Sequence, residues 1–232
     1  KVVLGTHCML SLNHEIGKIE DTFKQWFPGQ AFIQAAKIQS YPLLVEEQVL
    51  VANAVISRQQ EFSTGRWLAR QGMQEFGLPS TAIKVGKLRN PLWTESIIGS
   101  ITHDSGYCVV VLMKKQRHGE KGIGIDLVGL AQRAAQIEGL EGMIVANDKE
   151  LEAVEIFDLK INPALLLFSL KESLLKALTF YLDDFIDLRS IEISCLNKLF
   201  VTVCGNTVVA DIFAAKSGNY LITTAKVYQI DT

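Results

Sequence analysis

Three short segments of this 232-residue sequence carry polar side chains that core packing alone does not explain. The first runs from Gly99 to Gly106 and places three hydroxyl residues and His103 directly before an apolar run. Hydroxyls, backbone N–H groups and a histidine are the parts of a phosphate-binding loop. The same residues also fit a turn whose Ser, Thr and Asp side chains bond to their own backbone.

The second segment, Gly122 to Val128, is an apolar, strand-like run that one acid, Asp126, interrupts. An isolated buried charge is very costly, so a carboxylate there needs a partner, which a divalent metal or a basic side chain would provide. A solvated Asp at a strand end is the alternative. The Gly-x-Gly at the start is a weak signal, and we expect no helix directly after it, which argues against a dinucleotide fingerprint.

The third segment, Phe168 to Lys176, is predicted to be helical. It carries Glu172 and Lys176 four residues apart, so both lie on one helix face. One acid and one base placed in this way could hold a metal and a phosphate together. They equally fit an ordinary surface ion pair worth roughly a few tenths of a kcal/mol.

The composition is that of a folded protein without a strong overall field. Hydrophobic residues make up 48% and charged residues 21% of the chain, which excludes a disordered or collagen-like protein. The formal net charge of -2 supplies no attraction to nucleic acid or to an anionic membrane. An anionic ligand must therefore be held by a local basic cluster. The apolar runs fall short of the ~20 residues of a membrane-spanning helix.

The cysteine spacing favours a reducing compartment. The four cysteines form no CxxC pair and no Cys/His ligand pattern, so a zinc site is not predicted. We expect free, mostly buried thiols in a cytoplasmic protein. The first residues of the chain also lack the continuous apolar stretch of a signal peptide. The cysteines are Cys8, Cys108, Cys195 and Cys204.

Hydrophobic periodicity predicts the elements that must position these segments. Through Tyr41, short apolar stretches separated by turn residues predict strands and loops. From Ser57 to Phe76 the apolar spacing predicts a helix, with Ser57 and Gln60 in capping-box spacing. The upstream stretch Glu46–Ile56 is also helix-compatible, either as part of the same helix or as a second one.

Two strand-like runs, Tyr107–Met113 and Ile123–Val128, are joined by the basic stretch Lys114–Lys121, which predicts an antiparallel hairpin. No internal repeat is visible, but strands and a helix occur on both sides of Gly122. This favours two halves, residues 1–121 and 122–232. Helices are also predicted from Asp148 to about Phe157 and from Leu165 to Phe180, and strands at Ile191–Ser194, Leu199–Cys204, Val208–Ala214 and Tyr220–Val227.

Taken in order, these segments resemble the 4'-phosphopantetheinyl transferases, specifically the monomeric enterobactin-type and surfactin-type subgroup. The resemblance runs from about Arg58 to Lys176 and more loosely to the C-terminus. Its most specific motif is the Lys-Glu-Ser helix. The matching stretches are the helix with Glu-Phe and Gly-Arg pairs at Arg58–Arg66, the basic loop at Arg89–Trp93, the Gly-Ser-Ile-Thr-His segment at Gly99–His103, the metal-site strand at Gly124–Asp126 and the Lys-Glu-Ser helix at Phe168–Lys176.

The resemblance implies an α+β fold of two pseudo-symmetric α/β halves with the active site at their interface. It implies Mg2+-dependent transfer of the 4'-phosphopantetheine group from coenzyme A to a serine of an apo acyl, aryl or peptidyl carrier protein, with release of 3',5'-ADP. The expected protein is a cytoplasmic monomer that serves siderophore, nonribosomal peptide, polyketide or fatty acid synthesis. Nucleic acid partners and a membrane span are not expected.

The resemblance also assigns site residues by position. Asp126 and Glu172 would hold Mg2+ against the pyrophosphate. Glu172 and Lys176 would be the catalytic pair, with Glu172 or a metal-associated water as the base for the carrier serine. The residues that would contact coenzyme A phosphates are Lys176 and Thr102 on phosphate oxygens, His103 and Arg89 at the 3'-phosphate region, and Arg66, which could instead brace its helix against an acid.

One position departs from the subgroup. A second acid usually stands two residues after the metal-site Asp, and this chain has Val128 there. Asp126 and Glu172 then either suffice together with waters and phosphate oxygens or bind the metal less tightly. A relative that binds coenzyme A or a carrier without turnover is a third reading, and a generic nucleotide-binding domain is a weaker one. The stretch Lys114–Lys121 could contact an acidic carrier or be a solvated hairpin tip.

Overall fold

Two antiparallel sheets and the helices that cover them form the described part of the molecule. The computed structural model describes residues 5–27, 29, 31–116, 119–137, 139–195 and 199–231. The strands are β1 (Phe32–Lys37), β2 (Ile97–Asp104), β3 (Tyr107–Lys114), β4 (Gly122–Gly129), β5 (Ile191–Cys195), β6 (Leu199–Val203), β7 (Asn206–Ser217) and β8 (Tyr220–Asp231). The α-helices are α1 (Gly5–Trp26), α2 (Val45–Val51), α3 (Ile56–Glu75), α4 (Leu130–Ile137), α5 (Glu141–Ile144), α6 (Lys149–Ala153) and α7 (Pro163–Ala177), with 3-10 turns at Val154–Phe157 and Leu188–Ser190.

The first sheet has the strand order β1-β3-β2. β2 and β3 form a hairpin whose two-residue turn, Ser105-Gly106, has positive φ angles of 48° and 84°. Such a turn matches the right-handed twist of paired strands, which is why a glycine stands there. Residues 108–112 of β3 are fully buried, because α3 covers one face of the strand and α1 the other.

The second sheet has the order β4-β8-β7-β6-β5, and α7 packs on one face of it. This helix begins where the sequence provides a cap: the Asn162 side chain accepts hydrogen bonds from two N–H groups of the first turn, and Pro163 needs no donor there. Leu167, Leu170 and Leu174 are fully buried against the sheet. Each such burial contributes about 1.5–3 kcal/mol, so α7 is firmly anchored.

Side chains of β2 join the two sheets. They accept hydrogen bonds from the backbone N–H groups along the outer edge of β4, an edge strand whose donors would otherwise be unpaired. These three bonds, which we call the seam, therefore set the position of one sheet against the other. They are Ile125 N to Ser100 Oγ (3.1 Å), Leu127 N to Thr102 Oγ1 (3.1 Å) and Gly129 N to Asp104 Oδ2 (2.9 Å).

Helix α1 contacts both sheets. Its Glu20 side chain accepts a hydrogen bond from Ala35 N of β1 at 2.8 Å, and Trp26 stacks on Phe213 of β7 with ring centroids 5.7 Å apart. Phe23 is fully buried in the apolar cluster that includes residues of β3, β4 and β8. Helix α1 therefore also holds the two sheets together.

The helices that cover the two sheets carry buried ion pairs of the same design. Arg70 of α3 pairs with Glu47 of the preceding α2, and Lys171 of α7 pairs with Glu150 of the preceding α6. The correspondence agrees with the expected pseudo-symmetry, although the sequence shows no repeat. In both pairs the base also donates to an upstream carbonyl (Pro42 O, Ile144 O), and the acid accepts from a downstream N–H (Ile83 N, Ile193 N).

The predicted α+β class and most predicted elements are confirmed. The helix predicted from Ser57 is α3, and Glu46–Ile56 contributes the separate helix α2. The later helices are α6 and α7, and the four C-terminal strands are β5 to β8. Val55 is the N-cap of α3, so the predicted capping box of Ser57 with Gln60 is wrong. The division into residues 1–121 and 122–232 stays a prediction.

Two predictions of strand and turn structure are wrong at the N-terminal side. The strand expected near residues 31–33 is confirmed as β1, and the apolar stretch at residues 2–4 lies outside the described residues. Between them the chain forms α1 and not strands and loops, because Ile16, Ile19 and Phe23 repeat at helical spacing against the core. The polar segment Gly99–Gly106 is mostly strand β2, and its final two residues form the turn.

The predicted hairpin between Tyr107–Met113 and Ile123–Val128 is also wrong. β3 pairs with β1 and β2, whereas β4 pairs with β8. The strand preceding β3 is closer in sequence and joins it by a two-residue turn, so it takes the hairpin position. Within the basic stretch 114–121, residues 117 and 118 lie outside the described residues. A helix, α4, follows β4 directly, contrary to our expectation for the Gly-x-Gly segment.

Burial of the cysteines is more varied than expected. Cys108 is buried, Cys195 is half-buried and Cys204 is exposed, and all three are free thiols. The Cys8 side chain lies outside the described part of the structure. Among the described residues, no helix combines the length and apolarity needed to cross a bilayer.

The buried pair of Lys171 and Glu150 leads to a stability prediction. Lys171 Nζ lies 2.9 Å from the Glu150 carboxylate, and burial lowers the pKa of this lysine. Glu150→Ala should lower the free energy of unfolding by about 3–5 kcal/mol, because it leaves a buried cation without its partner. Urea denaturation measures this change. Glu152→Ala, on the exposed side of the same helix, is the control, and an equal loss in both variants would contradict the prediction.

Candidate active site

Asp126 and Lys176 meet beside the seam. Asp126 lies in the middle of β4 with 7% of its surface exposed, so the alternative of a solvated strand end is excluded. Its Oδ1 atom accepts from Lys176 Nζ at 2.7 Å and from Thr102 Oγ1 at 3.2 Å. Its Oδ2 atom accepts from Ser169 Oγ at 2.9 Å. Three donors therefore compensate the buried carboxylate.

Two glycines allow this meeting. A Cβ atom on Gly122 would collide with Ala177 O, and one on Gly124 with Ser173 O, both of α7. The missing side chains let the helix backbone rest directly on β4. The Gly-x-Gly pattern thus serves close helix–strand packing, which brings Lys176 within reach of Asp126.

Glu172 differs from its neighbours because, among the described residues, no side chain is bonded to its carboxylate. Within the described residues, its carboxylate makes no hydrogen bond and no ion pair within 4.0 Å. Burial raises its pKa, the Asp126 charge adds to the rise, and Lys176 and Arg133 oppose it. A half-buried carboxylate of raised pKa beside a second acid can accept a proton or share a cation.

Two neighbouring cavities meet at Glu172 and Lys176. One has a volume of about 530 Å³ and the other about 250 Å³, and His103 and Ile101 also line both. Asp126 and Val128 line the smaller cavity. The larger one is rich in cations and also has apolar walls, and its lining includes Arg58, Arg66, Arg89, Lys176, Trp93 and Phe185.

His103 is held by two residues of α3 that sequence reasoning did not assign to the site. Arg58 NH1 lies 2.9 Å from His103 Nε2, and Glu61 Oε2 lies 3.6 Å from His103 Nδ1. Arginine can only donate, so Nε2 accepts and the imidazole proton is on Nδ1, facing Glu61. Burial, Arg58 and Lys176 lower the pKa of His103. The i, i+3 spacing of Arg58 and Glu61 is the signal that could have identified the pair.

The other predicted phosphate ligands differ in their accessibility. Arg89 lies exposed in the loop before β2 and lines the larger cavity. Arg66 is 5% exposed, its Nε donates to Ile83 O at 3.1 Å, and burial lowers its pKa to about 10. Glu47, an acid whose charge acts on Arg66, forms its ion pair with Arg70. Thr102 already binds Asp126 and Leu127 N.

The donor set fits Mg2+ with two protein ligands. Among the described residues, no group of three or more His, Cys, Asp or Glu side chains could hold a metal. Asp126 and Glu172 nevertheless line one cavity, and Mg2+ is commonly bound by one or two carboxylates with waters and phosphate oxygens. Lys176 Nζ, 2.7 Å from Asp126 Oδ1, already places one positive charge on this carboxylate. Val128 is 3% exposed and packs in the apolar core.

Two further polar residues of the site were missed. Ser169 donates to Asp126, and Arg133 of α4 lines the smaller cavity and lies 3.4 Å from Asp104 Oδ2. Ser169 lies seven residues before Lys176, the spacing of two helical turns, and could have been placed on the same face. Arg133 had no such signal, because the helix that carries it was not predicted.

Comparison with known proteins gives consistent matches on both sides of residue 121. Residues 46–113 match the 4'-phosphopantetheinyl transferase N-terminal domain, and residues 122–225 match the 4'-phosphopantetheinyl transferase superfamily. Together these matches span well over half of the chain.

Three curated relatives carry the name 4'-phosphopantetheinyl transferase. Npt of Nocardia iowensis is 31% identical over 153 residues, covering 63% of this chain and 65% of that protein. PptT of Mycobacterium tuberculosis is 36% identical over 83 residues, 36% of each chain. Svp of Streptomyces mobaraensis is 30% identical over 137 residues, covering 58% of this chain and 54% of its own. The chain thus spans less than two thirds of the length of each relative.

The contacts of His103 predict opposite pKa changes in two variants. Arg58→Gln should raise the pKa of His103, because the guanidinium opposes protonation of the imidazole, and Glu61→Gln should lower it, because the carboxylate favours protonation. Imidazole chemical shifts followed by NMR across a pH series measure both. Shifts of the same sign in the two variants would contradict the proposed arrangement.

Proposed function

The chain belongs to the 4'-phosphopantetheinyl transferase superfamily, and we propose that it transfers the 4'-phosphopantetheine group from coenzyme A to a serine of an apo carrier protein, releasing 3',5'-ADP. One observation carries the proposal. Asp126 of β4 lines the same cavity beside the seam as Glu172 and Lys176 of α7, although it is far from both in sequence. Members of this superfamily use coenzyme A.

The larger cavity is the proposed coenzyme A site. Its cations suit an anionic cofactor even though the whole chain carries a net charge of -2. Arg89 is exposed and His103 is half-buried, so both could reach the 3'-phosphate. Arg66 already stacks on Phe62 at 4.3 Å, which leaves its remaining donors for a phosphate oxygen. The apolar walls suit the adenine ring or the pantetheine arm.

Glu172 is the proposed base for the carrier serine. It lines both cavities, so the serine would approach from the smaller one and coenzyme A would occupy the larger. The serine Oγ attacks the β-phosphorus of the pyrophosphate, its proton passes to Glu172, and the bond to 3',5'-ADP breaks. Lys176 offsets the charge that develops on the leaving phosphate.

Asp126 and Glu172 are the proposed Mg2+ ligands. When bound, the ion would supply charge neutralisation at the pyrophosphate. Lys176 would then exchange Asp126 for a phosphate oxygen, because its ammonium already lies at the cavity wall. Thr102 and Ser169 would continue to hold the Asp126 carboxylate.

Binding without turnover is a second candidate function. Val128 favours it, because an apolar side chain stands where the related subgroup has a metal-ligating acid. The carrier and its pathway, whether siderophore, peptide, polyketide or fatty acid synthesis, belong to the same proposal, as does a monomeric state. Free thiols on the described cysteines support the cytoplasm as the location.

The transfer reaction itself is directly testable. Incubation with coenzyme A, Mg2+ and a panel of apo carrier proteins should add the mass of one phosphopantetheine group, seen by mass spectrometry of the intact carrier. Asp126→Asn and Glu172→Gln should abolish the addition while leaving the circular dichroism spectrum unchanged, because each removes a charged ligand. Lys176→Ala should slow it. Coenzyme A binding without any mass gain would support the second candidate.

Val128 gives a separate prediction about the metal. Val128→Glu should lower several-fold the Mg2+ concentration that gives the half-maximal rate. The reason is that a third carboxylate would add an oxygen ligand for a hard cation. Val128→Gln is the matched control, since glutamine has nearly the size of glutamate but carries no charge. Thermal unfolding of both variants checks that the buried position tolerates the change. An unchanged Mg2+ requirement would mean that the missing acid does not limit the native protein.

A further inference from the structure

We propose that Ser169 is a positioning residue that fixes the Asp126 carboxylate for its role in transfer. The inference rests on the proposed function and extends it to a buried residue that lines neither of the two cavities. Ser169 is 0% exposed, so it cannot itself contact coenzyme A or the carrier. It acts only through Asp126.

The hydroxyls around Ser169 form a buried group in which the bond to Asp126 has a definite direction. Ser169 Oγ lies 2.9 Å from Asp126 Oδ2, and Thr223 Oγ1 lies 2.9 Å from Ser169 O. An ionised carboxylate only accepts, so the single Ser169 proton points to Asp126. Thr223 Oγ1 also lies 2.9 Å from Ser169 Oγ, which can only accept in that contact when its own proton is on Asp126. Thr223 faces Asp126 across the β4–β8 pair and is also fully buried.

This arrangement divides the two oxygens of Asp126 between two tasks. Oδ2 is bound by Ser169, whereas Oδ1 carries Lys176 and Thr102. A carboxylate held at one oxygen cannot rotate freely about its last torsion, so the second oxygen keeps its direction. When Lys176 leaves for a phosphate, the Ser169 bond is one of the contacts that remain on Asp126.

Ser173 is the control that distinguishes a positioning role of Ser169 from packing alone. It lies one turn after Ser169 on α7, is equally buried, and contacts Thr223 Oγ1 at 2.7 Å. The bonds described for it do not reach Asp126. If the buried hydroxyls only satisfy one another, loss of either serine should have the same effect. If Ser169 positions Asp126, only its loss should alter the site.

The test compares Ser169→Ala with Ser173→Ala. Binding of Mn2+, a spectroscopic substitute for Mg2+ that also takes oxygen ligands, is measured by electron paramagnetic resonance on the protein without coenzyme A. Steady-state transfer kinetics are measured in parallel. Ser169→Ala should weaken Mn2+ binding about tenfold and lower kcat by a similar factor, with KM for coenzyme A unchanged. Ser173→Ala should leave Mn2+ binding and kcat within about twofold of the native protein. Equal unfolding midpoints of the two variants would show that lost stability does not cause the effect of Ser169→Ala.

The outcomes separate this inference from the proposed function. Equal losses in both variants, or none in Ser169→Ala, would overturn the positioning role while transfer by the native protein stands. A rise in KM for coenzyme A at constant kcat would also overturn it, because that pattern indicates substrate binding. Native transfer that needs no divalent cation would overturn the metal assignment itself and, with it, this inference.

Discussion

The constraint on which the rest of the structure depends is that the N–H groups on the outer edge of β4 must find acceptors. β4 is the last strand of its sheet, and alternate N–H groups on its outer side are bonded by Ser100, Thr102 and Asp104. These acceptors also alternate along β2. The residues between them, Ile101 and His103, therefore face the other way, toward α3. One strand thus supplies the seam on one face and a cavity wall on the other.

The site lies at the seam because charge can be balanced there without bulk water. Asp126 has three donors, and Lys176 has Asp126 and the Ile125 carbonyl as acceptors. Glu172 alone, among the described acids of the site, has no bonded partner. An unpaired, half-buried acid costs stability, and a cation or a proton would restore the balance. The arrangement is therefore one that a positively charged group or a reacting hydroxyl would complete.

An element of the fold could be predicted when the interactions that form it are local in sequence. Helices α3 and α7 were predictable because their apolar spacing is local, and β5 to β8 were predictable because their alternation is local. The partners of β3 and β4 were not, since pairing depends on which strand edges are free after folding. The N-terminal helix α1 was missed because its apolar residues were read as short separate stretches, although Ile16, Ile19 and Phe23 share one helical face.

The sequence by itself indicated the family and predicted Asp126, Glu172 and Lys176 as site residues, because both follow from motif order and from spacing within one helix or strand. Only the tertiary structure decided that Lys176 pairs with Asp126, that Glu172 stays unpaired, and that Arg58, Glu61, Arg133 and Ser169 join the site. Each of these contacts crosses between elements or depends on burial. A local pattern specifies which residues share a face, but the partner of that face is set by how helices and sheets pack.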